Sequence, residues 1–351
     1  MAETGTLSLE AINSFLKDIQ HGDLPDMDKL VYKCGLKSSQ NFKDVLMCSN
    51  RHGDTPLLLA ARHGHTEMLR TIHEEYDVSL DHCNKDGKRA LHEAAQNGQT
   101  ECVRYLIEAG STLDCLKKAD WTPLMLACTK DSLDIVQTLV SYGASLLLRN
   151  KDGWNPFHIA CREGHIAVVS LLLSSHPGSE HWDTVSNNGR TPLHTASLHG
   201  RVDIMKLLRE RCSYDANRQD SCGITPLLDS ARGNNSDATS FLLECCGARI
   251  DMVDSLGRQA IHHAAQAGAI NSLQCLIDHG ADVNKTASIN AITPLHYASK
   301  EGQSEAVSLL LQCGADPSLR DKRGRTALDL ARNAREGTQT VALLETELVQ
   351  N

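Results

Sequence analysis

Four basic residues recur at almost constant spacing in the first half of the chain: Arg51, Lys85, Lys118 and Lys151 stand 34, 33 and 33 residues apart. Three positions after each comes a second column, Asp54, Lys88, Trp121 and Trp154, which Arg190 continues. Tryptophan with arginine is the composition of binding hot spots, where a flat ring fills a pocket and a cation meets a carboxylate. Lys117 and Arg149 add charge beside the columns. If the spacing reflects units stacked about 10 Å apart, as packed helices are, the columns become a short basic stripe next to two neighbouring tryptophans. Such a stripe is a surface for a partner molecule. The plainer alternative is that the lysines are solvated and the tryptophans cover adjoining turns.

Other chemistries find little support. There is no phosphate-binding glycine loop, dinucleotide fingerprint or catalytic triad signature, and no cofactor is expected. His92-Glu93 begins like a zinc-protease motif, but Gln96 stands where the second histidine ligand belongs. The formal charge of −9, from 35 basic and 44 acidic side chains, disfavours unspecific attraction to polyphosphate or anionic lipid. No direct nucleic-acid partner is therefore expected. Thirteen cysteines with no CxxC pair point to a reducing compartment, the cytoplasm, with the nucleus as a second setting. Cys102, Cys128, Cys161 and Cys275 fall where small apolar residues would be buried. No apolar run approaches the roughly 18 residues of a membrane span.

The columns are held by a repeat. Nine copies of one phrase recur, among them Thr55-Pro56-Leu57, Arg89-Ala90-Leu91-His92, Thr122-Pro123-Leu124, Asn155-Pro156-Phe157-His158, Thr191-Pro192-Leu193-His194 and Thr293-Pro294-Leu295-His296, with steps of 33 to 36 residues. Period and phrase resemble the ankyrin repeat, which implies an all-α solenoid of stacked helix-turn-helix units joined by short hairpin turns. In the unit at 117–149, Thr122-Pro123 is read as the start of the first helix, with Leu124, Ala127 and Cys128 on its buried face. Ile135, Val136, Leu139 and Val140 form the inward face of the second, and Gly143 ends it. The histidines of the phrase are read as hydrogen-bonding groups that stabilise the repeat. The expected organisation is a capping repeat over 1–50, with helices at Leu9 to Ile19 and Asp26 to Tyr32, central repeats over 51–333 and a closing helix within 334–351. A capped solenoid is expected to be monomeric.

One stretch departs from a general consensus. Cys115-Leu116-Lys117-Lys118-Ala119-Asp120-Trp121-Thr122-Pro123-Leu124-Met125, followed by Asn150-Lys151-Asp152-Gly153-Trp154-Asn155, is similar to a family of ankyrin-repeat proteins that associate with alanyl-tRNA synthetase. The Ala61-Arg62-His63-Gly64-His65 segment shares the likeness. That resemblance implies a non-enzymatic cofactor that takes misactivated serine onto its own lysines before it reaches the alanine tRNA. The acceptors it implies are Lys118 and Lys151. Asp183 follows Trp182 where the family has a third, and no lysine lies between Lys151 and Lys206. A neighbouring cation such as Lys117 would lower an acceptor's pKa and raise its reactive fraction. The alternative is an ordinary ankyrin adaptor that binds another protein through Trp121, Trp154, Lys117, Arg149, Lys85, Lys88 and Arg190.

Overall fold

Threonine and proline start most of the first helices by the mechanism the phrase suggests. In the computed structural model, which describes residues 9–22, 45–175, 178, 182–334 and 337–350, the Thr122 hydroxyl accepts the Met125 N–H at 3.2 Å and the helix Pro123–Ala127 follows. Proline at the first position gives up an amide that would have had no helical partner. Thr191, Thr225, Thr293 and Thr326 cap their helices in the same way. Thr55 does not, although Pro56 still opens Pro56–His63.

Histidine adds a second tie. His194 Nδ1 accepts the Thr191 N–H at 3.1 Å, and Nε2 lies 3.0 Å from the Ile224 carbonyl in the following turn. His92, His262 and His296 do the same toward Trp121, Lys285 and Arg325. An acceptor at Nδ1 and a donor at Nε2 define one neutral tautomer. Each ring therefore closes its own helix start and fastens the next unit.

The described residues contain helices and turns but no strand; Lys117 and Trp121 form an isolated bridge. The chain forms two compact units, one of residues 1–160 and 167–181, the other of 161–166 and 182–351. In the first, helices Leu9–His21, Pro56–His63, Ala90–Gln96 and Pro123–Ala127 pack in succession, with Thr66–Glu74, Thr100–Glu108 and Leu133–Ser141 as a second layer. The second unit repeats the plan from Pro192–Leu198 through Ala327–Ala331, and Thr338–Gln350 packs on Ala327–Ala331 and Ser304–Gln312. The expected helix at Asp26 to Tyr32 lies outside the described residues.

The core consists of the periodic apolar positions. Leu124, Ala127, Cys128, Ile135, Val136 and Leu139 are all buried, whereas Val140 is half-buried. Cys102, Cys128 and Cys161 are buried as expected; Cys275 is instead partly exposed, with its sulfur 3.8 Å from His279 Nδ1. Among the described residues no helix is long and apolar enough to cross a membrane.

Candidate functional site

The basic column lies on the tips of consecutive hairpin turns. Lys85 N–H donates to the His52 carbonyl at 3.1 Å, Lys118 N–H to Asp86 at 2.8 Å and Lys151 N–H to Ala119 at 3.0 Å. These bonds tie each tip to the one before it, so residues 33 to 34 apart in sequence become neighbours. Ser221 and Ser255 make the same bond in the second unit. At the next tip the sequence alignment puts Ile289 in the column, but Ser288 makes the bond, since the turn Ala287 to Ile292 holds one extra residue.

Most tips share one construction. Asn84 Oδ1 accepts the amides of Asp86 and Lys88, both at 3.0 Å, and Gly87 completes the turn at φ +73°. Asn50, Asn150, Asp220, Asp254 and Asp321 accept turn amides equivalently. A glycine at positive φ closes each of these turns. At Gly223 a Cβ would stand 2.7 Å from the Ser255 amide, so a larger residue would break the contact between tips.

The tip from Lys117 to Trp121 departs at both positions. Lys117 replaces the asparagine or aspartate and has no acceptor to offer, and Asp120 replaces the glycine. Ala119 and Asp120 consequently hold φ of +66° and +61°, two successive left-handed residues without glycine. Such conformations cost on the order of 1–3 kcal/mol each, toward the low end for aspartate, and collect at functional positions. Restoring the common construction with Lys117→Asn and Asp120→Gly is expected to stabilise the protein by about 1–2 kcal/mol. Urea denaturation measures this, and a double variant no more stable than the parent would show that the tip is relaxed.

Around this tip the charges are arranged unequally. Lys117 Nζ stands 5.5 Å from the centre of the Trp121 ring, a cation over an aromatic face. Burial there, reinforced by the Lys88 charge, holds the Lys117 ammonium below its ordinary pKa, while Asp86 and Glu93 work the other way. The lysine with the lowered value is thus Lys117 itself. Lys118 is 76% exposed, with Asp86 Oδ1 at 3.7 Å. Lys151 and Arg149 are exposed, and Lys85 Nζ donates to the Arg51 carbonyl at 2.8 Å. Trp121 and Trp154 are half-buried. The Trp154 ring stacks on His158 with centroids 6.5 Å apart.

Two of the predicted binding residues are engaged elsewhere. Lys88 points inward, where Nζ lies 2.7 Å from Gln96 Oε1 and 3.3 Å from the buried Glu93 carboxylate. Glu93 also takes a forked pair from Arg62, which in turn reaches Asp54 at 3.0 Å. Arg190 belongs to the second unit, where it pairs with Asp220 at 3.2 Å and with Asp229. Trp182 also lies there, edge-on to Tyr214 with centroids 5.8 Å apart. The tips of the first unit therefore bring together Arg51, Lys85, Lys117, Lys118, Trp121 and Lys151, and leave Lys88 and Arg190 as structural cations. The strained tip escaped the sequence reading, although a missing glycine at Asp120 and a missing asparagine at Lys117 were visible in the aligned turns.

Comparison with known proteins agrees with this architecture. A family model described as ankyrin repeats (3 copies) matches residues 18–115, 72–150, 124–220 and 207–287, and one for a single ankyrin repeat matches 290–322. Ankyrin repeat protein nuc-2 of Neurospora crassa is 36% identical over 160 residues, 45% of this chain and 15% of that one. The E3 ubiquitin-protein ligase hecd-1 of Caenorhabditis elegans is 39% identical over 106 residues, 30% of this chain and 4% of its own. The E3 ubiquitin-protein ligase KEG of Arabidopsis thaliana is 26% identical over 335 residues, 92% of this chain and 20% of its own. The chain thus spans a fifth or less of the length of these relatives. With family models covering most of its length and helical hairpins of the matching period, the chain belongs to the ankyrin repeat family.

Proposed function

We propose that the chain is a non-enzymatic adaptor whose protein partner docks on the hairpin tips of the first unit, centred on Trp121. The observation that carries this reading is the Lys117 to Trp121 tip, which forgoes the relaxed construction of its neighbours to present a lysine against a tryptophan ring. Exposed Leu116, at 48%, adds apolar area beside it, and Lys85, Lys118 and Lys151 supply charge for a partner's carboxylates. Such a surface joins an aromatic anchor to a polar rim, the anatomy of a specific interface.

A second reading names the partner as alanyl-tRNA synthetase and rests on the resemblance of the 115–125 and 150–155 stretches. It is favoured by the exposure of the Lys118 amine, which a bulky acyl donor can reach. The step begins with loss of the ammonium proton to solvent. The free amine then attacks the carbonyl of seryl-adenylate, the carbon–oxygen bond to phosphate breaks, AMP leaves and an amide remains. The lysine is consumed, which makes the protein a sacrificial acceptor. Delivery by a bound synthetase would supply the proximity.

One set of variants separates the two readings. Trp121→Ala is expected to weaken partner binding by about 2 kcal/mol, as for a hot-spot aromatic. Lys118→Arg with Lys151→Arg is expected to leave synthetase binding intact while abolishing the serine adduct, seen by intact mass after incubation with synthetase, ATP and serine. Binding without any adduct on the parent protein leaves the adaptor reading alone. Failure of the synthetase to bind overturns the second reading, and a partner indifferent to Trp121→Ala overturns the first.

A further inference from the structure

The tips of the second unit present a different surface. Leu256 and Ile289 stand on consecutive tips and are 46% and 45% exposed. The Ser288 N–H reaches the Gly257 carbonyl at 3.4 Å, and the Lys322 N–H reaches Asn290 at 3.0 Å, so a third tip follows directly. That third tip carries Lys322 and Arg323, both exposed. Two aliphatic side chains thus lead into a pair of cations.

Beside these tips lies a cleft of about 470 Å³ whose lining includes Arg258, Lys300, Lys322, Arg323 and Arg325. Among the described residues lining it, the one carboxylate is Asp321, whose side chain is 2% exposed. Both of its oxygens are already occupied. Oδ2 takes the Arg325 guanidinium at 2.7 Å, and Oδ1 takes the amides of Arg323 and Arg325 at 2.8 and 2.9 Å. Arg258 is likewise paired from below, with Asp254 at 2.7 Å. Lys322 and Arg323 therefore give the mouth a local positive excess on a chain of net charge −9.

We propose that this cleft binds an acidic peptide segment of a partner protein, with an aliphatic side chain seated against Leu256 and Ile289 and carboxylates on Lys322 and Arg323, since Lys300 is already paired with Glu301 at 3.3 Å. Charge complementarity sets the sign of the partner and speeds its approach. The aliphatic tips choose a peptide over a polyphosphate, to which they offer nothing. A stacking platform for bases is also lacking at this mouth: Tyr297, which the cleft includes, is 8% exposed and covered by Arg258. The surface is independent of the Trp121 tip, which belongs to the first unit.

The test uses fluorescence polarisation of the full chain with a labelled peptide of repeated Glu-Asp-Leu, beside peptides of repeated Lys-Arg-Leu and Glu-Asp-Ser and a labelled oligothymidylate. The first peptide is expected to bind best, and Lys322→Glu with Arg323→Glu to weaken it at least about tenfold, as reversed charges do. Leu256→Ser with Ile289→Ser is expected to erase the preference for the leucine peptide, while Trp121→Ala leaves binding unchanged. All four changed side chains of the second unit are exposed, so folding is retained and is checked by circular dichroism. Binding indifferent to the charge reversals, equal binding of the serine peptide, or preference for the oligonucleotide would each overturn the proposal.

Discussion

Replacing Arg190 by alanine is expected to destabilise the protein by about 3 kcal/mol, the low end of the cost of breaking a buried ion pair, because Asp229 keeps Arg232 at 3.0 Å. Arg190 is 16% exposed and bridges Asp220, at 5%, to Asp229, at 0%. Burial already pushes the Asp229 carboxyl up to about 6, against the opposing pull of Arg190 and Arg232. Without Arg190 it rises further. A carboxyl whose folded pKa exceeds its unfolded value near 3.8 favours the fold at low pH, and that contribution is lost as pH rises through the folded value. The deficit should accordingly be larger at pH 8 than at pH 5, and Asp229→Asn in the alanine background should recover part of it by removing the charge. Urea denaturation of the three proteins at both pH values decides the matter. An alanine variant within about 1 kcal/mol of the parent at pH 8 would place Arg190 among ordinary surface ion pairs.

The same residue shows where sequence reading stops. The repeats were legible because the phrase encodes local chemistry: threonine caps, proline fits the first turn and histidine closes the helix start, each within a few residues. The tip-to-tip column was legible because a constant period brings equal positions together, as the Lys118 to Asp86 and Lys151 to Ala119 bonds show. Lys88 and Arg190 share a column with Trp121 and Trp154 yet serve another purpose. Each meets an acid on a first helix, Lys88 at Glu93 in its own unit and Arg190 at Asp229 one unit on. Column alignment compares like with like and does not pair a turn position with a helix position. The sequence signal was an acidic residue at the fifth place of the phrase, present at Glu93 and Asp229 and absent after Trp121 and Trp154, where Leu126 and Ile159 stand. Register slipped at Ile289 for a simpler reason: an added residue in the turn moves the hydrogen-bonding position to Ser288 without changing the spacing of the phrases.

Acid should unfold this protein through its phrase histidines. His92, His194 and His262 are buried, and burial lowers each imidazole to about 4, although the carbonyls of Trp121, Ile224 and Lys285 pull the other way. The bonding pattern requires the neutral ring, because Nδ1 accepts a backbone N–H. A group held below its unfolded value of 6.5 contributes stability that is fully present above pH 6.5 and is lost as pH falls toward 4. The loss at pH 4 is about 3 kcal/mol per histidine, a large share of the 5–15 kcal/mol that holds a typical domain. In the second unit Asp229 and His279 work in the opposite direction, since their raised values gain from acid, but His194, His262, His263 and His296 all lose by it. Net stability should therefore begin to fall steeply below pH 6, before exposed carboxylates of pKa about 3.9 to 4.3 are half protonated. His194→Gln, which keeps an amide donor and cannot take a proton, should cost stability at pH 7.5 yet flatten the acid limb by about 3 kcal/mol. If the variant and the parent lose stability equally between pH 7 and 4, the proton goes elsewhere and the histidines are spectators of acid unfolding.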